Sequence, residues 1–422
     1  MKTLVLITSN YPFGTSEPFP EKEIPFLQSE FNKIIIVAQN VHSPQTRRVP
    51  SGTSIYRYNP STTFKGFIEL PFLLLINIKL ILSLIREEKE FRELAGVNLG
   101  LSREWFLYKK IIKAIQLRDY VKKILHKENI SSEIIFYSYW LNSGSHAIAL
   151  LDNRNSIKIA RAHRIDLYEE VTGRGYLPLL KHVAEKLDAI FFISEQGMNY
   201  FSSRVTAKAE LFVSRLGVLR SQDNDNNQPE TDEFTIVSCS NMIPVKRINL
   251  IIEALSLTVF SKKTRWIHFG SGILREELGK MAQEKLHNKE KLRYEFKGYI
   301  PNDEIMEFYS KHIVNLFVNT SFSEGVPVSI MEAQSYGIPV LATDTGGVSE
   351  IVAGGTGYLL PVDFRPDELS GKISRFINME PDEEKKFREK AFSNWNHRFN
   401  AQVNYPEFVS ILNRIFDRTK VL

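Results

Sequence analysis

The chain has 422 residues, 43% of them hydrophobic and 24% charged, with 22 glycines and 18 prolines. That excludes a small module and a collagen-like, coiled-coil or largely disordered protein, and it favours two cores of roughly 200 residues each. The one cysteine, Cys239, rules out an intrachain disulfide and a four-thiolate zinc site, and the formal charge of +5, from 54 basic and 49 acidic side chains, is too mild for a nucleic-acid binder.

In chain order, Thr3–Thr8 reads as a buried first strand, because the apolar run Leu4–Ile7 is too short for a secretory leader. Lys33–Ala38 reads as the next strand. Phe67–Ile85 follows, with fourteen large apolar residues in nineteen, interrupted by Glu69, Pro71, Asn77, Lys79 and Ser83. Its apolar residues favour membrane insertion by about 0.3 to 0.6 kcal/mol each, while Glu69 and Lys79 oppose it by up to about 3 kcal/mol each, so a buried or surface-lying helix is the expected outcome. Leu101–Ile130 then holds eight Lys/Arg against three acids, an excess equal to that of the whole chain.

Glu133–Tyr139, Ile157–Ala162, Ala189–Ile193 and Leu211–Ser214 complete the strands expected in the first half. Arg220–Glu233 contains no apolar residue and reads as an exposed linker. Asp223-Asn-Asp225 within it matches the aspartate-x-aspartate pattern of some metal sites, but no strand precedes it and a solvated loop is the better reading.

In the second half the strands expected are Phe234–Ser238, Arg265–Phe269, Leu292–Phe296, Val314–Asn319 and Pro339–Ala342, with helices at Ile248–Phe260, Asp303–Lys311 and Val328–Tyr336. From Asp382 a helical pattern carries Phe387, Trp395, Phe399, Tyr405 and Phe408, and Pro406 is placed at the opening of the last helix. Strand–helix alternation on this scale implies an α/β chain with parallel sheets covered on both faces, and such sheets bind ligands beyond the carboxyl ends of their strands. The expected division is 1–219, a linker 220–233, 234–400, and a terminal helix 401–422.

The densest chemical signal lies between Ile313 and Val352. A strand leads into Asn319-Thr-Ser-Phe-Ser-Glu324-Gly325-Val326-Pro327, then a helix Val328-Ser-Ile-Met-Glu332-Ala, then Gly337-Ile-Pro-Val and Thr343-Asp-Thr-Gly346-Gly347. Pro327 suits a first helical position, and the free amides of the following turn suit a phosphate. Glu324 ahead of the helix can reach past that phosphate, while Glu332 inside it can accept hydrogen bonds from ribose hydroxyls. Two glutamates eight apart recur by chance; it is their surroundings that give them weight.

This segment resembles the retaining, nucleotide-sugar-dependent glycosyltransferases of the GT-B type, family four (glycosyl transferases group 1), whose signature is Glu, seven residues, Glu. The resemblance extends over nearly the whole chain. Ser238-Cys-Ser-Asn241-Met-Ile-Pro-Val-Lys246-Arg247 stands where that family places an arginine and a lysine on the donor diphosphate: Lys246 matches the lysine, Asn241 occupies the arginine position, and Arg247 is the nearest replacement cation. Fixed cations there would stabilise the charge left on the diphosphate by bond cleavage. Gly270-Ser-Gly272 resembles the Gly-x-Gly turn, and Gly298-Tyr299-Ile300 the segment that holds the nucleobase through its backbone. In the first half Asn10-Tyr-Pro-Phe-Gly14-Thr15-Ser-Glu17-Pro-Phe resembles the first glycine-rich loop, in the form found among bacterial capsule, exopolysaccharide and lipopolysaccharide assembly enzymes. Ala160-Arg-Ala-His163-Arg164-Ile-Asp166 resembles the histidine loop near the sugar, and Arg215-Leu-Gly217-Val the interdomain strap.

The resemblance implies two Rossmann-like domains facing across a cleft, acceptor in the first, donor in the second, and the last helix returning to the first domain. His163, Lys246 and Glu324 would be catalytic. Gly14, Thr15, Asn241, Arg247, Gly270, Gly272, Tyr299, Ile300, Gly325, Val326, Val328 and Glu332 would bind the nucleotide sugar. No metal and no cofactor is implied, with a UDP-, GDP- or ADP-sugar as co-substrate. The reaction expected is transfer of a hexosyl or N-acetylhexosaminyl unit, with retention, to a saccharide acceptor, lipid-linked or free. The location expected is cytoplasmic, at the inner face of the plasma membrane if the apolar and basic stretches at 67–130 bind lipid. Two alternatives stay open: a non-catalytic sugar-nucleotide-binding partner of an assembly complex, and a sugar-nucleotide epimerase of the same fold.

Overall fold

The computed structural model describes residues 2–14, 17–39, 41–59, 64–131, 133–152, 155–220 and 232–419. Thr15, most of the 220–233 linker and the Asp223-Asn-Asp225 pattern lie outside the described residues. The chain divides into two compact units, one of Met1–Arg215 with Tyr405–Leu422 and one of Leu216–Asn404.

The first unit is built on a seven-stranded sheet in the order β3-β2-β1-β4-β5-β6-β7. Its strands are β1 (Thr3–Thr8), β2 (Lys33–Gln39), β3 (Ser54–Tyr58), β4 (Ile134–Ser138), β5 (Ser156–Ala162), β6 (Ala189–Phe192) and β7 (Glu210–Val213). All pairings are parallel. Every residue of β1 and β4 is buried, as a parallel sheet covered on both faces requires. Period-two alternation sends Val5 and Ile7 to one face, against Leu117, Val121 and Ile124 of the helix Gly100–Lys127. Leu4 and Leu6 go to the other, against Ile24 and Leu27 of the helix Phe19–Gln28 and against Phe408, Leu412 and Ile415 of the helix Ala401–Thr419.

Arg161 of β5 lies fully buried in this second layer. It makes an ion pair with Glu23 at 3.1 Å, its Nε donates to Tyr137 Oη at 2.8 Å and its Nη1 to the Ser214 carbonyl at 2.8 Å. Tyr137 in turn donates to Glu23 at 2.9 Å.

The apolar stretch near residue 70 and the basic stretch after residue 100 are two long helices, Phe64–Leu94 and Gly100–Lys127. Ile81 and Leu84 of the first pack on Leu107, Ile111 and Ile115 of the second. Phe72, Leu75, Ile76 and Leu82 remain exposed. Among the described residues, no helix is long and apolar enough to cross a membrane. A buried Arg92 ties this hairpin to the segment after β5: it contacts Glu88 at 3.0 Å, Glu169 at 2.8 Å and the Leu177 carbonyl at 2.6 Å.

The second unit holds a six-stranded parallel sheet in the order β10-β9-β8-β11-β12-β13. Its strands are β8 (Phe234–Cys239), β9 (Thr264–Phe269), β10 (Leu292–Gly298), β11 (Leu316–Asn319), β12 (Val340–Thr343) and β13 (Gly357–Leu360). Two findings depart from the sequence reading. The edge strands β3 and β13 were not expected, and the last helix begins at Ala401, not Pro406, because the Asn400 side-chain oxygen accepts the Gln402 N–H at 2.9 Å and caps the helix a turn earlier. In the strap, Val218 N–H donates to the Phe399 carbonyl at 2.8 Å, and a Cβ on Gly217 would come within 2.3 Å of the Ala401 Cα, so that crossing admits only glycine.

Candidate functional site

In each sheet the strand order reverses beside the first strand, and a parallel sheet opens a crevice at the carboxyl ends of the strands flanking that point. In the second unit the flanking strands are β8 and β11. The loop after β8 carries Asn241, Lys246 and Arg247; the loop after β11 carries Glu324, Gly325 and Val326.

The two loops are laced together. Phe322 N–H donates to the Val245 carbonyl at 2.8 Å, and Thr320 Oγ1 to the Lys246 carbonyl at 3.0 Å. Across this seam Lys246 Nζ donates to Glu324 Oε1 at 2.5 Å, with the Asn319 amide on the same oxygen at 3.4 Å. The cation and carboxylate singled out in the sequence therefore meet at the switch point. Pro327 is the N-cap and Val328 the first residue of the helix Val328–Ser335, one position from the expected placement. Glu332 on that helix is buried, and its Oε1 accepts the Asn302 side-chain N–H at 2.7 Å.

The glycines work by close approach. A Cβ on Gly270 would lie 1.9 Å from the Ser240 carbonyl oxygen, and on Gly272 2.4 Å from that of Met242, so the turn after β9 can rest its backbone on the loop after β8. Met242 N–H and the Ser271 carbonyl close that contact at 2.9 Å. Gly346 and Gly347 do the same against Glu324 and Gly325, where Gly347 N–H donates to the Gly325 carbonyl at 2.7 Å. Tyr299 is largely exposed and Ile300 half-buried in the segment after β10.

Arg247, which the sequence reading offers as a second cation for a diphosphate, is tied into the fold: Nε donates to the Thr320 carbonyl at 2.8 Å, Nη1 to the Val362 carbonyl at 2.6 Å and Nη2 to Thr343 Oγ1 at 3.2 Å. Those bonds hold a backbone φ of 48° in the left-handed region that side chains avoid. Asn241 is exposed and brings no charge, so Lys246 is the cation that the loop after β8 presents.

Beneath the loop, His268 is buried, its Nδ1 2.8 Å from Ser238 Oγ and its Nε2 3.1 Å from the Ser240 carbonyl. Burial pushes it down to about 4 from an ordinary 6.5. The folded state thus binds fewer protons than the unfolded state between those values, and the stability this histidine contributes is present above pH 6.5 and lost as pH falls towards 4. In urea midpoints taken across that range, His268→Gln is expected to flatten the acid decline; an unchanged slope would assign the decline elsewhere.

In the first unit the switch point lies between β1 and β4. Glu17, 2% exposed, accepts the backbone N–H groups of Ser9 at 3.1 Å, Asn10 at 2.5 Å and Tyr11 at 2.6 Å, together with the Trp140 indole N–H. The Trp140 ring lies 4.3 Å from the His163 ring, centroid to centroid. His163 is buried, and neither ring nitrogen has a hydrogen-bond partner among the described residues. Burial, then the Arg161 charge, hold it well below the usual histidine range, so it is a neutral imidazole. Asp166 fixes the turn by accepting the His163 N–H at 2.7 Å and the Leu141 N–H at 2.6 Å. Gly14, at a φ of 63°, donates its N–H to the Pro44 carbonyl at 3.1 Å in the same loop system. Glu17 and Trp140 had no assigned role in the sequence: they are 123 positions apart, and only the sheet order joins them.

Residues 220–394 match the model of the family Glycosyl transferases group 1. A "Putative colanic acid biosynthesis glycosyltransferase WcaL" of Escherichia coli (strain K12) is 26% identical over 259 residues, 59% of this chain and 62% of that protein. The "Poly(glycerol-phosphate) alpha-glucosyltransferase" of Bacillus subtilis is 28% identical over 228 residues, 53% of this chain and 31% of that protein. The chain thus spans less than two thirds of the length of these curated relatives. Among solved structures, a sucrose-phosphate synthase from Thermosynechococcus elongatus aligns with a TM-score of 0.67 at 14% identity, covering 99% of this chain and 100% of that one. Anabaena Alr3699/HepE in complex with UDP and glucose aligns with a TM-score of 0.62 at 15% identity, covering 97% and 99%. The fold is that of the GT-B glycosyltransferases, with two Rossmann-like parallel-sheet units. These comparisons do not favour an epimerase or a non-catalytic partner.

Proposed function

We propose that this chain, whose residues 220–394 match the glycosyl transferases group 1 model, moves a sugar from a nucleotide diphosphate sugar to a saccharide acceptor in bacterial surface polysaccharide assembly. The observation that carries the reading is the Lys246–Glu324 pair at the switch point, 2.5 Å apart, one turn ahead of a helix that buries Glu332. Relatives named for colanic acid and glycerol-phosphate polymers, and a neighbour of the same fold holding UDP and glucose, support it.

In this reading the diphosphate sits against Lys246 and the amides opening the helix Val328–Ser335, where cation and helix dipole both favour an anion. Glu332, held by Asn302, takes the ribose hydroxyls, Glu324 the sugar hydroxyls, and His163 the sugar near its reacting carbon. The reaction retains configuration and needs no metal or cofactor. The bond from the anomeric carbon to the phosphate oxygen breaks, the acceptor oxygen bonds that carbon on the same face, and the acceptor proton passes to the departing phosphate oxygen. Lys246 stabilises the charge that accumulates on that oxygen, in a site whose dipoles are already in place. The donor is a hexosyl or N-acetylhexosaminyl nucleotide of UDP, GDP or ADP. The location is cytoplasmic, and the exposed Phe72, Leu75, Ile76 and Leu82 beside the basic helix suit the inner membrane face.

Incubation with the donor alone separates enzyme from binding module: slow hydrolysis to the nucleoside diphosphate and a sugar of unchanged anomeric form is expected. Binding without hydrolysis or transfer would support a non-catalytic partner. Glu332→Gln is expected to weaken nucleotide binding by about tenfold, since it removes charge-assisted bonds to the ribose. A 2′,3′-dideoxynucleotide should lose this difference in calorimetry, and an equal loss for both nucleotides would contradict the ribose role.

A further inference from the structure

The excess of positive charge between Leu101 and Ile130 is left unused by the proposed donor site, and part of it is organised. Arg103, Phe106, Lys110 and Lys113 follow one another at intervals of three, four and three along the helix Gly100–Lys127, so they share one face. The segment leaving β5, the one that begins with His163, returns across that face at Arg174. Arg103 Nε donates to the Arg174 carbonyl at 3.2 Å. The Arg174 guanidinium lies 4.5 Å, and Lys110 Nζ 5.1 Å, from the centroid of the Phe106 ring, so two cations of different segments share one aromatic side chain. The base is rigid: Phe106 meets the Tyr176 ring edge-on at 6.4 Å, and Tyr176 donates to the buried Glu88 at 2.9 Å.

The carboxylates nearby are already engaged. Glu88 and Glu169 hold Arg92, Glu104 pairs with Lys89 at 2.8 Å, and Glu87 meets His182 at 3.2 Å. Among the described residues, no carboxylate lies within ion-pair distance of Arg103, Lys110 or Arg174. Lys110 and Lys113 are half-buried, and burial followed by the charges of Lys113 and Arg174 lowers the proton affinity of Lys110. On the adjoining helix Ser143–Ala149 the buried His146 stays neutral, pushed down to about 3 by burial and then by Lys110, and its Nδ1 lacks a hydrogen-bond partner among the described residues. Like charges gathered in a partly dry place repel one another unless an anion joins them, and a phosphate oxygen accepts from arginine and lysine more strongly than water does.

We propose that Arg103, Lys110 and Lys113, with Arg174 opposite, form a binding site for a phosphate or diphosphate group, and that in the transfer reaction this group belongs to the acceptor. The second half of the statement rests on the glycosyltransferase reading. The first does not, and its test reads binding without turnover.

Inorganic pyrophosphate is titrated calorimetrically into the full chain carrying Lys246→Ala, which removes the cation of the donor site, and any binding left at the helix amides of that site is recognised by its insensitivity to the substitutions below. A saturable site is expected, weakened at least about tenfold in Lys110→Gln/Lys113→Gln and retained in Lys122→Gln/Lys123→Gln, two exposed lysines further along the same helix. Arg174→Gln, at an exposed position where folding is not at stake, is expected to weaken it by about threefold or more. Equal affinity in all of these chains, or no binding in any, would overturn the site. Co-sedimentation with phosphatidylcholine vesicles, with and without phosphatidylglycerol, separates the sources. Anionic-vesicle binding that pyrophosphate displaces and Lys110→Gln/Lys113→Gln loses assigns the site to a lipid-borne phosphate. Pyrophosphate binding without such sedimentation assigns it to a soluble phosphorylated acceptor.

Discussion

Lys246→Ala is expected to lower kcat by about 10²- to 10³-fold while changing nucleotide affinity only a few fold. The expectation follows from where charge appears. The ground-state diphosphate already has the helix amides and Glu332-bound ribose to hold it, whereas the negative charge released by bond cleavage grows on the oxygen nearest the lysine. A preorganised group aimed at developing charge contributes about 3 to 4 kcal/mol, the size of that rate loss. Arg247 does not substitute, because its guanidinium is held by the Thr320 and Val362 carbonyls. The variant also leaves Glu324, a largely buried carboxylate, without its cation. Lys246→Ala/Glu324→Gln therefore serves as the control for a charge left uncompensated. If it were to restore turnover, the lysine would be a structural counter-ion and not a catalytic one. Equal losses in kcat and in binding would likewise contradict the role given to it.

Arg161→Ala is expected to destabilise the first unit by about 3 to 5 kcal/mol, the largest single effect outside the sites. Arg161 and Glu23 are 0% and 1% exposed, and both are further held by Tyr137. Removing the guanidinium leaves a carboxylate in an apolar layer beside Phe408 and releases the Ser214 carbonyl. Arg161→Met/Glu23→Leu, which buries neither charge, should recover part of that loss, since a fully removed ion pair often costs less than a broken one. Urea unfolding of the three chains checks this. A loss below about 1 kcal/mol for Arg161→Ala would mean that the pair does little for the fold.

How much of this was legible in the sequence depended on what fixed each feature. Strands such as Thr3–Thr8 and Ala189–Phe192 were readable because both faces are buried and the central run, Leu4–Ile7 in the first and the whole of the second, is apolar. The edge strands Ser54–Tyr58 and Gly357–Leu360 were not, because they are only half-covered and Gly357 is set by contact: a Cβ there would lie 1.8 Å from the Val340 carbonyl oxygen. Glu324, Glu332 and Lys246 were legible from spacing and resemblance, since local sequence carries both the helix start and the carboxylates. The fate of Arg247 was not, because a left-handed residue clamped by two carbonyls some 70 and 115 positions away leaves no local trace. The same holds for Glu17, whose four N–H donors come together only when β4 lies beside β1, and for the cationic face shared by Arg174 and Lys110. Pro406 misled because proline favours helix starts in general, while here the Asn400 cap decides the start.

The central claim is that the second unit binds a nucleotide with its ribose on Glu332. Its most direct test is a thermal-shift screen of the purified chain against UDP, GDP, ADP and their common sugars, with and without EDTA, repeated on Glu332→Gln. A ligand bound only by the native state raises the melting temperature by linkage. The account predicts a shift with one nucleotide class, insensitive to EDTA and reduced in the variant; no shift with any nucleotide, or a shift that Glu332→Gln leaves unchanged, would contradict it.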